Sequence, residues 1–135
     1  MIEYKIENGL TAEEFIDVLK ASTLAERRPV NEQERIEQML QHADLIITAR
    51  ENNKLVGVAR SVTDFVYCCY LSDLAVDKSY QKSGIGKELI RQTKLATPKA
   101  KLILLSAPAA INYYPHIGMK PFNYCFVIDD VNEIQ

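Results

Sequence analysis

The chain opens with alternating polar and apolar residues and then changes to a helical spacing. Residues 1–7 alternate as a strand does when one of its faces is buried. Residues 11–14 read Thr-Ala-Glu-Glu, a capping-box pattern whose side chains satisfy free amides at a helix start. The pattern predicts a helix over about residues 12–23, with one face formed by Phe15, Val18, Leu19 and Ser22.

A second helix is predicted to begin at Asn31, because Glu34 follows three residues later and apolar residues then recur at helical spacing. Its apolar stripe consists of Ile36, Met39, Leu40 and Ala43. The two helices are joined by a loop that contains Arg27, Arg28 and Pro29.

Three strands are predicted to follow as a meander. Residues 45–50, 55–62 and 66–76 are rich in the apolar, β-branched and aromatic residues that favour strands. Asn52 and Asn53 lie between the first two, and asparagine tolerates the left-handed backbone of a tight hairpin turn. The segment therefore predicts antiparallel pairing of neighbouring strands.

The second half of the chain predicts a parallel crossover. Helical spacing begins at Ile85, and Pro98 bounds the helix. Residues 101–106 form a continuous apolar run of the kind found in a strand buried on both faces. A strand, a helix and a second strand in this order connect with right-handed sense. The last predicted elements are a short helix over about 109–116, a turn at Gly118 and a strand within 122–128.

Length and composition predict one globular domain over residues 1–135, because a single core can bury most of the apolar surface of a chain this long. The sequence is 47% hydrophobic and 25% charged, as in ordinary globular proteins. No stretch reaches the roughly 20 apolar residues of a membrane span, so we expect a cytoplasmic protein without a membrane partner. The net charge of -2 argues against a nucleic-acid partner.

Few residues suit a metal site or a disulfide. Cys68 and Cys69 are adjacent and face opposite sides if the segment is a strand, so with Cys125 we expect three reduced thiols. His42 and His116 show no metal-ligand spacing with these cysteines, and we expect no metal.

The segment with the clearest chemical meaning runs from Leu74 through Val76 into residues 81–87, Gln-Lys-Ser-Gly-Ile-Gly-Lys. Here a strand feeds a helix through glycines, and the bare amides at a helix N-terminus suit a pyrophosphate. A tight strand-to-helix turn without a ligand is the alternative. The Walker P-loop is excluded, because Gln81 stands at its first glycine position and Glu88 follows Lys87.

The same residues resemble the Gln/Arg-x-x-Gly-x-Gly/Ala signature of the GCN5-related N-acetyltransferase (GNAT) family. The order of predicted elements also resembles that of the family. The resemblance implies an α/β fold with a mixed, mostly antiparallel sheet, a parallel strand-helix-strand crossover at the cofactor site and about four flanking helices. It also implies acetyl-CoA as the acyl donor.

By this resemblance, main-chain groups of Leu74 and Val76 pair with the pantetheine arm of acetyl-CoA. Ala107 stands where many relatives carry an asparagine, which leaves Asn112 as a substitute contact. The pyrophosphate would lie on the loop and helix start formed by Gln81, Lys82, Ser83, Gly84, Ile85, Gly86 and Lys87.

Catalytic roles also follow from resemblance. Residues 110–119 resemble the family's Ala-x-x-x-Tyr-x-x-x-Gly-Phe segment and place Tyr114 where relatives carry the acid that protonates the departing thiolate. The alternative for Tyr114 is a packed tyrosine, and Tyr113 is expected in the core. Asp73 is the candidate for the base, with Ser72 as the neighbouring polar residue. A strand-edge aspartate that anchors a loop is the alternative for Asp73.

The resemblance implies N-acetyl transfer by direct attack of an amine on the thioester, with the developing oxygen charge met by a strand amide near Val76. The resemblance also places Arg27 and Arg28 on the acceptor side, where relatives form much of the substrate groove, and two guanidiniums there would dock a carboxylate or phosphate. A solvated loop that uses Pro29 to set up the next helix is the alternative. The acceptor is expected to be a small-molecule or peptide amine, and a homodimer is possible because relatives often dimerise. The rival functions are a non-catalytic acyl-CoA-binding or regulatory domain and a pure interaction module.

Overall fold

A computed structural model describes residues 1–135 of the protein, which form two compact units, residues 1–105 and residues 106–135. The first unit contains five strands and three helices. In chain order these are β1 (Ile2–Ile6), α1 (Ala12–Ser22), α2 (Gln33–Gln41), β2 (Leu45–Glu51), β3 (Lys54–Thr63), β4 (Cys68–Val76), α3 (Ile85–Ala96) and β5 (Lys101–Ile103). The second unit contains the one-turn helix α4 (Tyr113–His116). None of the helices has the length and apolar character needed to cross a bilayer.

The strands of the first unit form one mixed sheet in the order β1-β2-β3-β4-β5. Strands β1 to β4 pair antiparallel with their neighbours, and β5 pairs parallel with β4. Since α3 connects β4 to β5, the predicted crossover is confirmed. The predicted hairpin is also confirmed: Asn52 and Asn53 adopt φ values of 49° and 70°, the left-handed backbone that a tight turn requires.

Helices cover both faces of the sheet, and each face has its own core. On one face α1 and α2 pack on Ile46, Val58 and Ala75. On the other face α3 packs through Ile85 and Leu89 against a cluster completed by Leu45, Ile47, Ala49, Val56, Ala59 and Leu71. The sheet is therefore buried between two helical layers, as the mixed α/β prediction requires.

Gly57 lets α3 lie unusually close to β3. A Cβ atom at this position would stand 3.1 Å from both Ile85 Cγ2 and Leu89 Cδ1. That distance is tighter than ordinary side-chain packing allows. Gly57 therefore sets the depth at which the first turn of α3 meets the sheet.

The helix starts show where local signals were sufficient. Thr11 caps α1 as predicted, with its Oγ1 accepting the Glu14 amide at 3.2 Å. The Glu14 carboxylate instead accepts from Arg50 Nη1 at 2.7 Å. The predicted start of α2 at Asn31 is too early, because the helix begins at Gln33 after Glu32.

Strand β5 differs from the predicted buried strand over residues 101–106. It spans only Lys101–Ile103 and lies at the edge of the sheet. Ile103 is 47% exposed and Leu105 54% exposed. An apolar run therefore marked the strand correctly but not its burial, which depends on neighbours on both faces.

The second unit contains helical turns and extended segments but no strand. A 3-10 turn at Pro108–Ala110 and α4 replace the predicted helix over about 109–116, and Gly118 turns the chain with a φ of 100°. The predicted strand within residues 122–128 is wrong, because these residues join no ladder. Tyr113 is exposed rather than in the core. Alternating apolar residues make a strand only when a neighbouring strand supplies hydrogen bonds.

The cysteines of β4 alternate as the strand period requires. Cys68 is exposed, whereas Cys69 is fully buried, and Cys125 in the second unit is exposed. All three are free thiols. The expectation that the adjacent pair faces opposite sides is therefore confirmed.

Candidate functional site

The sheet opens along β4. Strand β5 pairs only with Cys68–Tyr70, the first part of β4. Immediately beyond, the register with β3 shifts: Ser61 pairs with Leu71 and Arg60 with Asp73, so Ser72 is an extra residue in β4. This is a β-bulge, which bends a strand and ends regular pairing. The rest of β4 has β3 on one side and no strand on the other.

The main-chain groups along that open edge follow from the pairing with β3. Asp77 donates its amide to the Val56 carbonyl at 2.8 Å. Since hydrogen-bonding direction alternates along an antiparallel strand, Ala75 also faces β3, while Leu74 and Val76 face the open edge. Gln81 Nε2 donates to the Val76 carbonyl at 3.0 Å. An extended ligand laid along β4 would therefore meet the amide and carbonyl of Leu74 and the amide of Val76.

A tightly turned loop leads from this edge into α3. The Asp77 side chain accepts the Ser79 amide at 2.8 Å, and the Ser83 hydroxyl donates to the Tyr80 carbonyl. Lys82 and Gly84 both adopt left-handed backbone, with φ values of 69° and 86°. The loop is thus held by its own hydrogen bonds, and its sharp turns use the residue type that tolerates them at Gly84.

The N-terminus of α3 presents free amides. Gly84 caps the helix without a side-chain hydrogen bond, and the first amide of the helical ladder is that of Glu88, which donates to Gly84 at 3.0 Å. Residues 85–87 precede that bond, so their amides are available to a ligand. Open space surrounds the position of a Cβ at Gly84. The helix dipole adds a preference for an anion.

The side chains around this helix start divide into buried and exposed ones. The Ile85 side chain is buried in the core, so only its main chain can contact a ligand. Gln81, Lys82, Ser83 and Lys87 are exposed. The first unit therefore brings together Leu74, Val76 and all of the predicted residues 81–87 at one strand-to-helix junction.

Asp73 lies at the bulge and is fully buried. Its Oδ1 accepts from Arg28 Nε, and its Oδ2 accepts from Arg60 Nε. Each carboxylate oxygen thus faces a guanidinium rather than solvent. This geometry favours the alternative of an aspartate that anchors a loop, because Arg28 belongs to the connection between α1 and α2.

The two arginines of that connection have different surroundings. Arg27 is exposed, and its carbonyl accepts from Arg28 Nη1 at 2.8 Å. The Arg28 side chain is only 22% exposed, and its Nη2 donates to the Ser72 carbonyl at 2.8 Å. Arg28 is therefore occupied by its own chain, whereas Arg27 remains open to solvent.

Arg60 is a site residue that sequence reasoning missed. It is 7% exposed and lies within residues 55–62 of β3, whose other members are small or apolar. A charged residue inside such a run was the available signal, since a buried charge requires a partner. Here the partner is Asp73, with further bonds from Arg60 to the Met39 carbonyl at 3.1 Å and to the Ser72 hydroxyl at 3.1 Å.

Tyr114 and Asn112 lie in the second unit. Tyr114 is half-buried, and its ring meets Tyr113 edge to face with centroids 5.3 Å apart. Burial, with a smaller effect of Tyr113, raises the pKa of the Tyr114 phenol above its ordinary value. The phenol is therefore protonated at neutral pH, as a proton donor must be. Asn112 is exposed just before α4.

Comparison with known sequences identifies a related family. The sequence profile of the acetyltransferase (GNAT) family matches residues 12–119. The histone acetyltransferase TAP1 of Glycine max is 29% identical over 73 residues, which cover 52% of this chain and 32% of that protein. The chloroplastic GCN5-related N-acetyltransferase 1 of Arabidopsis thaliana is 27% identical over 108 residues, 76% of this chain and 55% of that protein. The matched part of this chain thus spans between about a third and about half of the length of these relatives.

Solved structures share the fold. A GNAT family acetyltransferase from Streptococcus pneumoniae superimposes with a TM-score of 0.80 at 24% identity, covering 98% of each chain. An aminoglycoside N-acetyltransferase solved in complex with CoA superimposes with a TM-score of 0.73 at 17% identity, covering 97% of this chain and 95% of the other. At these identities the likeness concerns the fold alone.

Proposed function

Because the chain belongs to the acetyltransferase (GNAT) family, we propose that it transfers the acetyl group of acetyl-CoA to a primary amine by direct attack on the thioester. The observation that carries this proposal is the open edge of β4, which leads directly into free amides at the start of α3. In acetyl-CoA an extended pantetheine arm is joined to a pyrophosphate. The open edge of β4 suits the arm, and the free amides at the start of α3 suit the pyrophosphate.

The residues present fit acetyl-CoA. We assign the pantetheine arm to the main-chain groups of Leu74 and Val76, which face the open edge. The pyrophosphate is assigned to the amides of residues 82–87, where Gly84 leaves room for close approach. Lys82 and Lys87 add positive charge, and Gln81 fixes the loop through the Val76 carbonyl. Asn112 is proposed as a further contact.

In the proposed reaction acetyl-CoA supplies a thioester carbonyl and a thiolate leaving group. The amine nitrogen bonds to the carbonyl carbon, the carbon-sulfur bond breaks, and the nitrogen loses a proton. We assign the backbone amide near Val76 to the developing oxygen charge, because its donor faces the open edge. Tyr114 is assigned to donate the proton that the thiolate takes up, in keeping with its raised pKa.

Asp73 is proposed to act through Arg28 and Arg60 rather than as the base. Both of its oxygens are engaged by guanidinium groups, and no part of it reaches solvent. The amine then loses its proton to water or to a group on the acceptor. This also supports a second candidate function, a non-catalytic acyl-CoA-binding domain, because the one acidic residue of β4 is already engaged.

The acceptor is proposed to be a small-molecule or peptide amine. Arg27 is the exposed guanidinium of the connection between α1 and α2, and it is the candidate to contact an anionic group of the acceptor. Arg28 attaches this connection to β4 through its hydrogen bond to the Ser72 carbonyl.

Calorimetry with CoA and acetyl-CoA tests the proposed binding site, and a panel of amines tests transfer. Gly84→Asp should abolish measurable cofactor binding, because a carboxylate would stand among the amides that receive the pyrophosphate. Gly84→Asn is the matched control: it has the same size and tolerates left-handed backbone, but carries no charge.

The two variants separate charge from shape. A large loss with Gly84→Asp and a smaller one with Gly84→Asn supports an anion at this site, whereas wild-type affinity in both removes the pyrophosphate from the loop. Cofactor binding without turnover on any amine would favour the non-catalytic alternative.

A further inference from the structure

Arg28, Asp73 and Arg60 form a buried charged cluster that the proposed chemistry does not use directly. Two guanidiniums share one carboxylate, with side-chain exposures of 22% for Arg28, 9% for Arg60 and 0% for Asp73. Desolvating two cations and an anion is costly, and apolar residues could fill such a volume at less expense. What this cluster provides, and apolar residues could not, is a set of directional hydrogen bonds.

Those bonds converge on the residue that forms the bulge. Arg28 Nη2 donates to the Ser72 carbonyl at 2.8 Å. Arg60 Nη2 donates to the Ser72 hydroxyl at 3.1 Å. Asp73, the next residue, holds both guanidiniums through their Nε atoms. The main chain of Ser72 is therefore hydrogen-bonded to the connection between α1 and α2, and its side chain is hydrogen-bonded to β3.

The bulge decides which groups of β4 reach the open edge. Before it, β4 pairs with β5; after it, Leu74 and Val76 turn their main-chain groups to the side without a strand. Because the strand period is two, loss of the one extra residue would exchange the groups that face outward with those that face β3. The position of Ser72 therefore sets the geometry of the edge assigned to acetyl-CoA.

We propose that Arg28, Asp73 and Arg60 are positioning residues that hold the bulge at Ser72 and thereby align the open edge of β4 for acetyl-CoA. This inference rests on the proposed function for its ligand, but the local order of β4 that it requires is independent of any ligand. It also assigns Asp73 a role distinct from the base predicted from sequence.

The first test compares Arg60→Met with Ser61→Ala. Arg60→Met removes the bond to the Ser72 hydroxyl and leaves one arginine paired with Asp73, so the remaining pair is neutral. Ser61→Ala changes the neighbouring residue, whose buried hydroxyl has no hydrogen-bond partner. We expect Arg60→Met to weaken CoA binding by about tenfold, as for loss of a charge-assisted hydrogen bond, and Ser61→Ala to leave it unchanged.

Two further readouts distinguish positioning from general stability and from base catalysis. Hydrogen exchange should speed up at the amides of Asp73 and Ala75 in Arg60→Met, relative to those of β2, whereas a general loss of stability would affect both strands. Asp73→Asn should weaken CoA binding and leave the shape of the pH profile of kcat unchanged. Loss of one limb of that profile with intact CoA affinity would restore Asp73 as the base.

The outcomes separate this inference from the proposed function. If the wild-type protein binds no CoA, the proposed function fails, and hydrogen exchange still decides whether the cluster holds the bulge. If the wild type binds CoA, but folded Arg60→Met binds it equally well and exchanges normally, the positioning role is overturned. Should Arg60→Met not fold, Ser72→Ala removes only the hydroxyl bond, and wild-type behaviour in that variant overturns the inference as well.

Discussion

Residues 1–105 and residues 106–135 differ in how they use apolar side chains. The first unit buries large side chains completely, among them Phe15, Leu19 and Ile36. In the second unit no residue is buried, and Phe126 is 90% exposed. Similar apolar patterns thus lead to different outcomes, because burial requires an opposing layer as well as a suitable sequence.

The largest expected effect would come from a paired truncation across this divide. Phe15→Ala should lower the free energy of unfolding by about 4 kcal/mol, since it leaves a cavity in a fully buried site. Phe126→Ala should change it by less than about 0.5 kcal/mol, as for exposed positions generally. Urea denaturation of both variants gives the comparison. A similar loss in both would show that residues 122–128 are packed in solution.

The second prediction assigns chemistry, rather than stability, to the second unit. Tyr114→Phe should lower single-turnover acetyl transfer by on the order of 10²-fold, the low end of a general acid's contribution. CoA affinity and unfolding should change little, because the ring remains. Tyr113→Phe is the matched control on the adjacent ring, and it should retain activity. Full activity in folded Tyr114→Phe would show that water or another donor, rather than Tyr114, supplies the proton to the thiolate.

The elements of the first unit were predictable because their signals are local. Thr11 caps α1, two asparagines form the hairpin turn, and apolar spacing marks α3. The loop and helix start of residues 81–87 were likewise found from glycines that follow a strand. Each of these depends on residues close together in sequence, where hydrogen-bonding and packing rules act directly.

The bulge and its cluster were not predictable, because they depend on distant partners. Arg28 and Asp73 are 45 residues apart, and Arg60 and Asp73 are 13 apart on neighbouring strands. The position of Ser72 depends on the register between β3 and β4, which the pattern of apolar residues does not specify to one residue here. The role of Asp73 changes once these contacts are known.

The third prediction sharpens the link between packing and binding within the first unit. Gly57→Ala should destabilise the protein by about 1–3 kcal/mol, because its Cβ would press on Ile85 and Leu89 at 3.1 Å. Relief requires α3 to move away from β3, which displaces the amides of residues 85–87, so CoA affinity should fall too. Gly9→Ala is the control, since nothing lies near a Cβ there. Destabilisation without any change in CoA affinity would show that the position of α3 does not affect CoA binding.

The smallest expected effect is the acid sensitivity of the ion pairs that join Arg50 of β2 to Glu7, which follows β1, and to Glu14 of α1. Arg50 donates to Glu7 Oε2 at 2.7 Å and to Glu14 Oε2 at 2.7 Å. Hydrogen bonding from Arg50 is the main cause that lowers the pKa of Glu7 below its ordinary value.

A carboxylate whose pKa is lower in the folded state stabilises the fold above its unfolded pKa, and this contribution is lost as the pH falls through the folded pKa. Unfolding should therefore become easier from about pH 5 downward. Glu7→Gln should cost about 1 kcal/mol at pH 7 and show a weaker dependence on acid, as expected for one partly exposed hydrogen-bonded group. Glu3→Gln serves as the control, because it alters a carboxylate of β1 that forms no ion pair with Arg50. If Glu7→Gln kept the full acid dependence of the wild type, other carboxylates would be responsible, and the ties around Arg50 would not distinguish the first unit from the second.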